Sequence, residues 1–531
     1  MKKSLILSLF LIFLLLIGYS QKWVPDLGNG FYKNPVIWAD YSDPDAIRVD
    51  DDFYLTASSF NCVPALPILH SKDLVNWKIL NYAVKNFPDE FYNKVQHGNG
   101  VWAPSIRYHK GWYYIYWGDP DRGIYMVRTQ NPAGKWSEPI LVKKACGNID
   151  PCPLFDDDGK VYLVHAFANS RAGINNTLQV VELTPDGSKI TRERKIVFTG
   201  YPNHNTVEGP KFYKRNGYYY IFTPAGGVAT GYQLVLRSKS VWGPYEEKIV
   251  LAQGNTNING PHQGAYIELD NGEGWFLHFQ EKQPYGRIVH LQPVKWVDDW
   301  PVIGDDSDGD GTGQPVLIYK KPSVKVKSEI IIPQIGDEFD NENLSLAWQW
   351  QANCYEHWYS LTEEKGVLRL YSQYNPDPNS LFMVPNLLLQ KFPSPSFVVN
   401  TRININDLKI NEKAGIIVMG LDYATWTFRK KDENKYELLF TVCKDADRGN
   451  DEKILKTYDI NKSDIYLQIK VDTTGYCKFL FSENGKNFID DKNSFKAREG
   501  KWIGAKVGLF AVSNEETGIK GFARFEYFRI E

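Results

Sequence analysis

Residues that hold metals are scarce in this chain. Its 531 residues include nine histidines and six cysteines, scattered, with no CxxC pair and no HExxH. A zinc site is therefore not expected. Cys62, Cys146, Cys152, Cys354, Cys443 and Cys477 show no pairing framework, so no disulfide connectivity can be read from them. An excess of one charge is missing too. The 61 Lys and Arg face 63 Asp and Glu, a formal net charge of -2, and no basic patch argues for nucleic acid. A long apolar run occurs once, from Ser4 to about Gly18, after Lys2 and Lys3 and before Tyr19-Ser20-Gln21. That order of charge, apolar core and small-residue end describes a secretory signal peptide over residues 1–20, and the run is short for a membrane span. No Cys follows it, which excludes a lipid-modified cysteine there. The mature protein is expected to work in the periplasm or outside the cell, with no membrane span, where disulfides are possible.

Aromatic residues, by contrast, are plentiful at 14%. Tyr and Trp present a flat apolar face with a polar tip, which suits strands and sugar-stacking surfaces. Many of them sit in five copies of one pattern: DPDAIRVDDDFYLTAS from Asp43, APSIRYHKGWYYIYWG from Ala103, DPCPLFDDDGKVYLVHA from Asp150, EGPKFYKRNGYYYIFTP from Glu208 and HQGAYIELDNGEGWFLHF from His262. Each has a lead residue, a short apolar strand, a turn rich in Asp, Gly or Asn, and a second strand. These are β-hairpins. Their spacing leaves room for two more strands per unit, so the pattern predicts a five-bladed β-propeller over residues 21–320. WVPDL near the start and LQPVKWV near the end are expected to complete the circle.

The innermost strand of every propeller blade lines the central axis, so equivalent positions converge at one mouth. Three of the five lead residues, Asp43, Asp150 and Glu208, are carboxylates. Like charges brought together oppose folding, and a fold does not need them there. Two carboxyl groups flanking an anomeric carbon are the usual machinery of glycoside hydrolysis, one as acid and one as base or nucleophile. A third carboxylate nearby raises the acid's pKa.

The stretches NPVIWADYSDPDAIRV, HSKDLVNW, GVWAPSIRYHKGWYYIY, IDPCPLFDDDGKVYL, EGPKFYKRNGYYYIF and YGRIVHLQPVKW followed by WPVIG resemble glycoside hydrolase family 43, in the family's motif order and across most of residues 30 to 320. The resemblance implies an inverting mechanism, with Asp43 as general base, Glu208 as general acid, and Asp150 tuning and orienting the acid. Arg287 resembles a family residue that reaches the sugar or a catalytic carboxylate, Trp102 in GVWAP is a candidate stacking face for a sugar ring, and Phe60, after the first hairpin, is a candidate pocket wall or a simple loop hydrophobe. In this family a His at the position of His262 often faces a bound calcium or its waters; otherwise His262 is a satisfied channel histidine. No cofactor is required, and a structural calcium is the one metal the resemblance suggests. DDSDGDGTG, Asp305 to Gly313, imitates the start of an EF-hand loop, but its twelfth position would be Leu317 rather than Glu. It reads as a polar turn.

From Lys320 the text changes. Residues 321–334 read as an extended connector, and residues 335–531 as many alternating strands with short turns and no long helical periodicity. They predict a β-sandwich, jelly-roll-like, similar to the concanavalin A-like domain of the family's β-xylosidase-like branch, where it packs on the propeller and lends a side chain to the pocket rim. The expected activity is exo-acting removal of terminal α-L-arabinofuranosyl units from plant cell-wall chains (xyloglucan, arabinoxylan or arabinan side chains), with β-xylosidase or dual action as the alternative. A sugar-binding propeller without catalysis is a reading of another class, and a retaining, sucrose-type propeller with Asp43 as nucleophile a further one.

Overall fold

In the computed structural model, which describes residues 22–326 and 328–531, the predicted hairpins are the first two strands of five sheets. The expected signal peptide lies outside the described residues. Each sheet has four antiparallel strands taken in chain order. Blade 1 runs from Asp45 to Val84, blade 2 from Trp102 to Lys144, blade 3 from Asn148 to Thr199, blade 4 from Lys211 to Leu251 and blade 5 from His262 to Ile303. Turn chemistry sets the hairpin register. Lys110-Gly111 and Asn216-Gly217 have positive φ at both residues and join the directly paired His109 and Trp112, and Arg215 and Tyr218. That is the two-residue turn whose twist matches paired strands.

Apolar side chains from the middle strands fill the seams between blades. Tyr116 and Met126 of blade 2 meet Leu163 and Val181 of blade 3, and Phe222 and Val235 of blade 4 meet Phe276 and Val294 of blade 5. All are buried.

Closure differs from the expectation. No blade is shared between the chain ends: residues 291–297 belong wholly to blade 5, and residues 23–27 enter no blade. Instead Phe31–Lys33 pairs with Ile318–Lys320 in a separate two-stranded sheet. Beside it Lys321 Nζ reaches Asp26 at 2.5 Å and Asp73 at 2.7 Å, tying the exit of the propeller to its entry and to blade 1. Asp73 is fully buried. Lys321→Met is expected to leave two carboxylates without their cation and to cost about 3 kcal/mol of stability, read as a lower midpoint in urea.

The second unit has two facing sheets, antiparallel except where Gln373–Tyr374 pairs parallel with Lys506–Ser513, with Trp426 and Phe440 from one meeting Phe479 and Phe481 from the other. It docks on blades 1, 2 and 5 without an intervening gap: one apolar cluster runs from Ile106, Trp117 and Tyr285 through Trp350 into Leu509 and Phe525. Val63 and Trp350 exchange backbone hydrogen bonds at 3.0 and 2.6 Å, and Tyr285 Oη donates to Pro395 O and Asp472 O. The six cysteines are free.

Candidate active site

One cavity of about 420 Å³ opens at a mouth of the propeller axis, and Asp43, Asp150, Glu208, Trp102, Arg287 and Phe60 all line it. His262 does not. It is 2% exposed and packs edge-on to Phe279 behind the wall.

The five lead residues do not occupy one equivalent position. Left-handed backbone marks the turn into the inner strand at Asp43 (φ 53°), Ala103 (29°) and Asp150 (56°), then at Gly209 (54°) and Gln263 (59°). Strand register agrees, since Asp45, Ser105, Cys152, Lys211 and Ala265, each two residues further on, all pair with the second strand. Glu208 and His262 therefore stand one residue early, at the position of Trp102 and Ile149. The physical reason is that the strained turn in blade 4 is taken by glycine, which accepts positive φ freely. Non-glycine residues in that conformation are uncommon and tend to cluster at functional sites; Asp43, Phe60, Ala103, Asp150, Thr206 and Gln263 all have it and line this cavity.

The three carboxylates sit in different surroundings. Asp43 accepts Ser58 Oγ–H at 2.6 Å and Arg287 Nη1 at 3.2 and 3.5 Å. Ser58 is itself fixed by the Ala103 N–H at 2.8 Å, and Arg287 by its own N–H on Asp40 Oδ1 at 2.9 Å. Asp150 accepts one bond, from Gly209 N–H at 2.8 Å. Burial pushes it up to about 7, with Asp43 adding to the rise while Gly209 and the Lys211 and Arg287 cations oppose it. The carboxyl of Glu208 has no protein hydrogen bond among the described residues. Burial first, then the Asp150 and Asp43 charges, push it up to about 8. A carboxyl group that stays protonated at neutral pH thus shares one pocket with a donor-supported carboxylate.

Aromatic faces bound the opening. Trp102, pinned by its Nε1–H on Gly98 O at 2.8 Å, meets Trp502 of the sandwich edge-on at 6.5 Å, and both line the cavity. Ser58, Gln263 and Trp502 were not among the residues expected from sequence. Gln263 had a signal, since it follows the lead residue assigned to blade 5. Trp502 had none, because its approach depends on domain docking.

Calcium takes oxygen ligands. His262 belongs to no group of three close His, Cys, Asp or Glu ligands among the described residues. Its Nδ1 is buried without a hydrogen-bond partner. Burial, then the Arg287 charge, pushes its imidazole down to about 3, so it is neutral. Asp306, Asp308 and Asp310 do converge, in a turn in which Asp306 and Asp310 accept the Gly311 and Thr312 N–H groups.

The profile described as Glycosyl hydrolases family 43 matches residues 32–301, and the one described as Beta xylosidase C-terminal Concanavalin A-like domain matches residues 336–531. The chain belongs to glycoside hydrolase family 43. A Xylanibacter ruminicola member of the set is 37% identical over 91% of this chain and 86% of its own. The Beta-xylosidase of Formosa agariphila is 30% identical over 95% and 90%. The Non-reducing end alpha-L-arabinofuranosidase BoGH43B of Bacteroides ovatus is 33% identical over 83% and 80%. The solved Bacteroides ovatus Xyloglucan PUL GH43B superposes with a TM-score of 0.78 at 27% identity, covering 94% of this chain and 99% of that one. This family 43 glycosidase is therefore a propeller enzyme with its β-sandwich docked against it.

Proposed function

We propose that this glycosidase is exo-acting and inverting, and removes terminal α-L-arabinofuranosyl units from plant cell-wall oligosaccharides or polysaccharides. The observation that carries the mechanism is the contrast between Asp43, which accepts hydrogen bonds from Ser58 and Arg287, and Glu208, buried without a donor and protonated at neutral pH. Asp43 takes a proton from a water as that water attacks the anomeric carbon. Glu208 gives its proton to the departing glycosidic oxygen. Both steps run together across an oxocarbenium-like transition state. Asp150, which accepts the Gly209 N–H next to Glu208, adds to the burial that makes Glu208 hard to ionise. Trp102 and Trp502 bound the sugar faces, and a cavity of about 420 Å³ suits one terminal residue rather than a long chain. No cofactor enters these steps. The apolar N-terminal segment supports export to the periplasm or beyond.

A second reading, release of β-D-xylosyl units, is favoured by the Formosa agariphila relative's name. The deciding experiment offers the mature protein p-nitrophenyl α-L-arabinofuranoside and p-nitrophenyl β-D-xylopyranoside, and follows the newborn anomer by NMR. Faster release from the first, with the inverted anomer appearing first, is the expected result. Faster release from the second selects the xylosyl reading. A retained anomer overturns the roles given to Asp43 and Glu208, and no release from either sugar overturns the pentosidase reading.

A further inference from the structure

Blade 5 carries an amide where blades 1 and 3 carry carboxylates. Gln263 has the left-handed backbone of Asp43 and Asp150, is 5% exposed, and lines the same cavity. Its N–H donates to Gln233 Oε1 at 3.0 Å, which anchors the main chain. Its side-chain amide makes no hydrogen bond to protein among the described residues. The side chain lies against the bare Cα of Gly209: a Cβ there would meet Gln263 Cδ at 2.8 Å and Nε2 at 2.9 Å. The amide is open to the cavity rather than sealed in the core. That cavity is of ligand size, so the partner comes from outside.

Its place in the ring says which partner. The inner strand of blade 5 packs against blade 1, which holds Asp43, and against blade 4, which follows Glu208. A sugar held between acid and base therefore turns one edge toward Ala103 and Asp150 and the other toward blade 5. On that second edge Arg287 is engaged with Asp43 through Nη1. A primary amide offers both donors and an acceptor and so matches a hydroxyl, which is both. Being neutral, it does so without adding a third carboxylate beside Glu208.

We propose that the Gln263 side chain hydrogen-bonds a ring hydroxyl of the terminal sugar and sets which pentose the pocket accepts. This rests on the glycosidase reading of Asp43 and Glu208. Pockets that satisfy a buried polar group with a substrate hydroxyl discriminate strongly against sugars that misplace it.

The test measures kcat and KM of the wild type, Gln263→Met and Gln263→Asn on both p-nitrophenyl pentosides and on the single-deoxy analogues of the better one. Met keeps the length without the amide; Asn keeps the amide but withdraws it. Both variants are expected to lose on the order of tenfold in kcat/KM on the better sugar, with unequal losses on the two sugars. One deoxy analogue, already poor with wild type, loses nothing further. The alkaline limb of the pH profile stays where it is. Equal proportional losses on every substrate would overturn the proposal in favour of a packing role, and a shifted alkaline limb would overturn it in favour of a residue that positions Glu208. An active wild type whose variants discriminate as it does sinks this inference alone. A wild type inactive on both sugars sinks the pentosidase reading with it.

Discussion

Glu208→Gln is expected to lower kcat on a disaccharide or longer substrate by about 10²–10⁴-fold, and by clearly less on a p-nitrophenyl glycoside. The difference is the point of the experiment. A sugar alkoxide is a poor leaving group and must receive a proton as it departs, whereas p-nitrophenolate departs with little help. The amide keeps the shape of the side chain but has no proton to give. In the wild type the pH dependence follows from the same group. Its pKa is pushed up to about 8 by burial and by the charges of Asp150 and Asp43, and catalysis needs the protonated form, so kcat falls as pH rises through that value. In the variant this limb disappears. An equal loss on both kinds of leaving group, or an unmoved alkaline limb, would remove Glu208 from the acid role.

The same substitution has a second reading, in stability. Glu208 binds its proton more tightly folded than unfolded. Between the unfolded carboxyl range and about pH 8 the native state therefore holds more protons than the unfolded state, and stability drops as pH rises. Glu208→Gln removes that penalty. The variant is expected to gain denaturation midpoint over the wild type at pH 8 and little at pH 4. An activity loss accompanied by a stability gain is the signature of a group placed for chemistry against the preference of the fold.

Asp43→Asn carries the other large effect. Its expected loss in kcat is about 10³–10⁴-fold, and it is the same for aryl and sugar leaving groups, because activation of water is needed whatever departs. Ser58 donates to one oxygen of Asp43 and Arg287 chiefly to the other, so the amide keeps one of these bonds, and circular dichroism of the variant checks that the fold is retained. If Asp43 were a nucleophile, a fluorinated pentoside would leave a covalent sugar on it, visible by mass spectrometry. The expected result is no adduct, and an adduct would convert the assignment to a retaining one.

Much of this architecture was legible before any coordinates. The hairpin pattern, with its Asp, Asn and Gly turns and its alternating aromatics, specifies paired strands through local chemistry, and five such hairpins specify five blades. The convergence of Asp43, Asp150 and Glu208 followed from topology, since inner strands must face one axis. What was misread is informative. Counting Glu208 and His262 as equivalents of Asp43 put blades 4 and 5 out by one residue. The sequence EGP resembles a lead Glu, yet it is Gly209 that takes the left-handed turn. A one-residue slip in a strand changes which side chain faces the pocket, and so Gln263 rather than the lead His262 lines it.

By itself, then, the sequence determined the number of blades, the carboxylates that meet and the sandwich that follows, because turn geometry and strand alternation are local and repeat. Only the tertiary structure decided the rest: that a separate ribbon and Lys321 close the ring, that Ser58 and Arg287 support Asp43 while Glu208 is left without a donor, and that Trp502 reaches the pocket from another domain. Those contacts join residues far apart in the chain, and no local pattern encodes a hydrogen bond whose partner is hundreds of residues away.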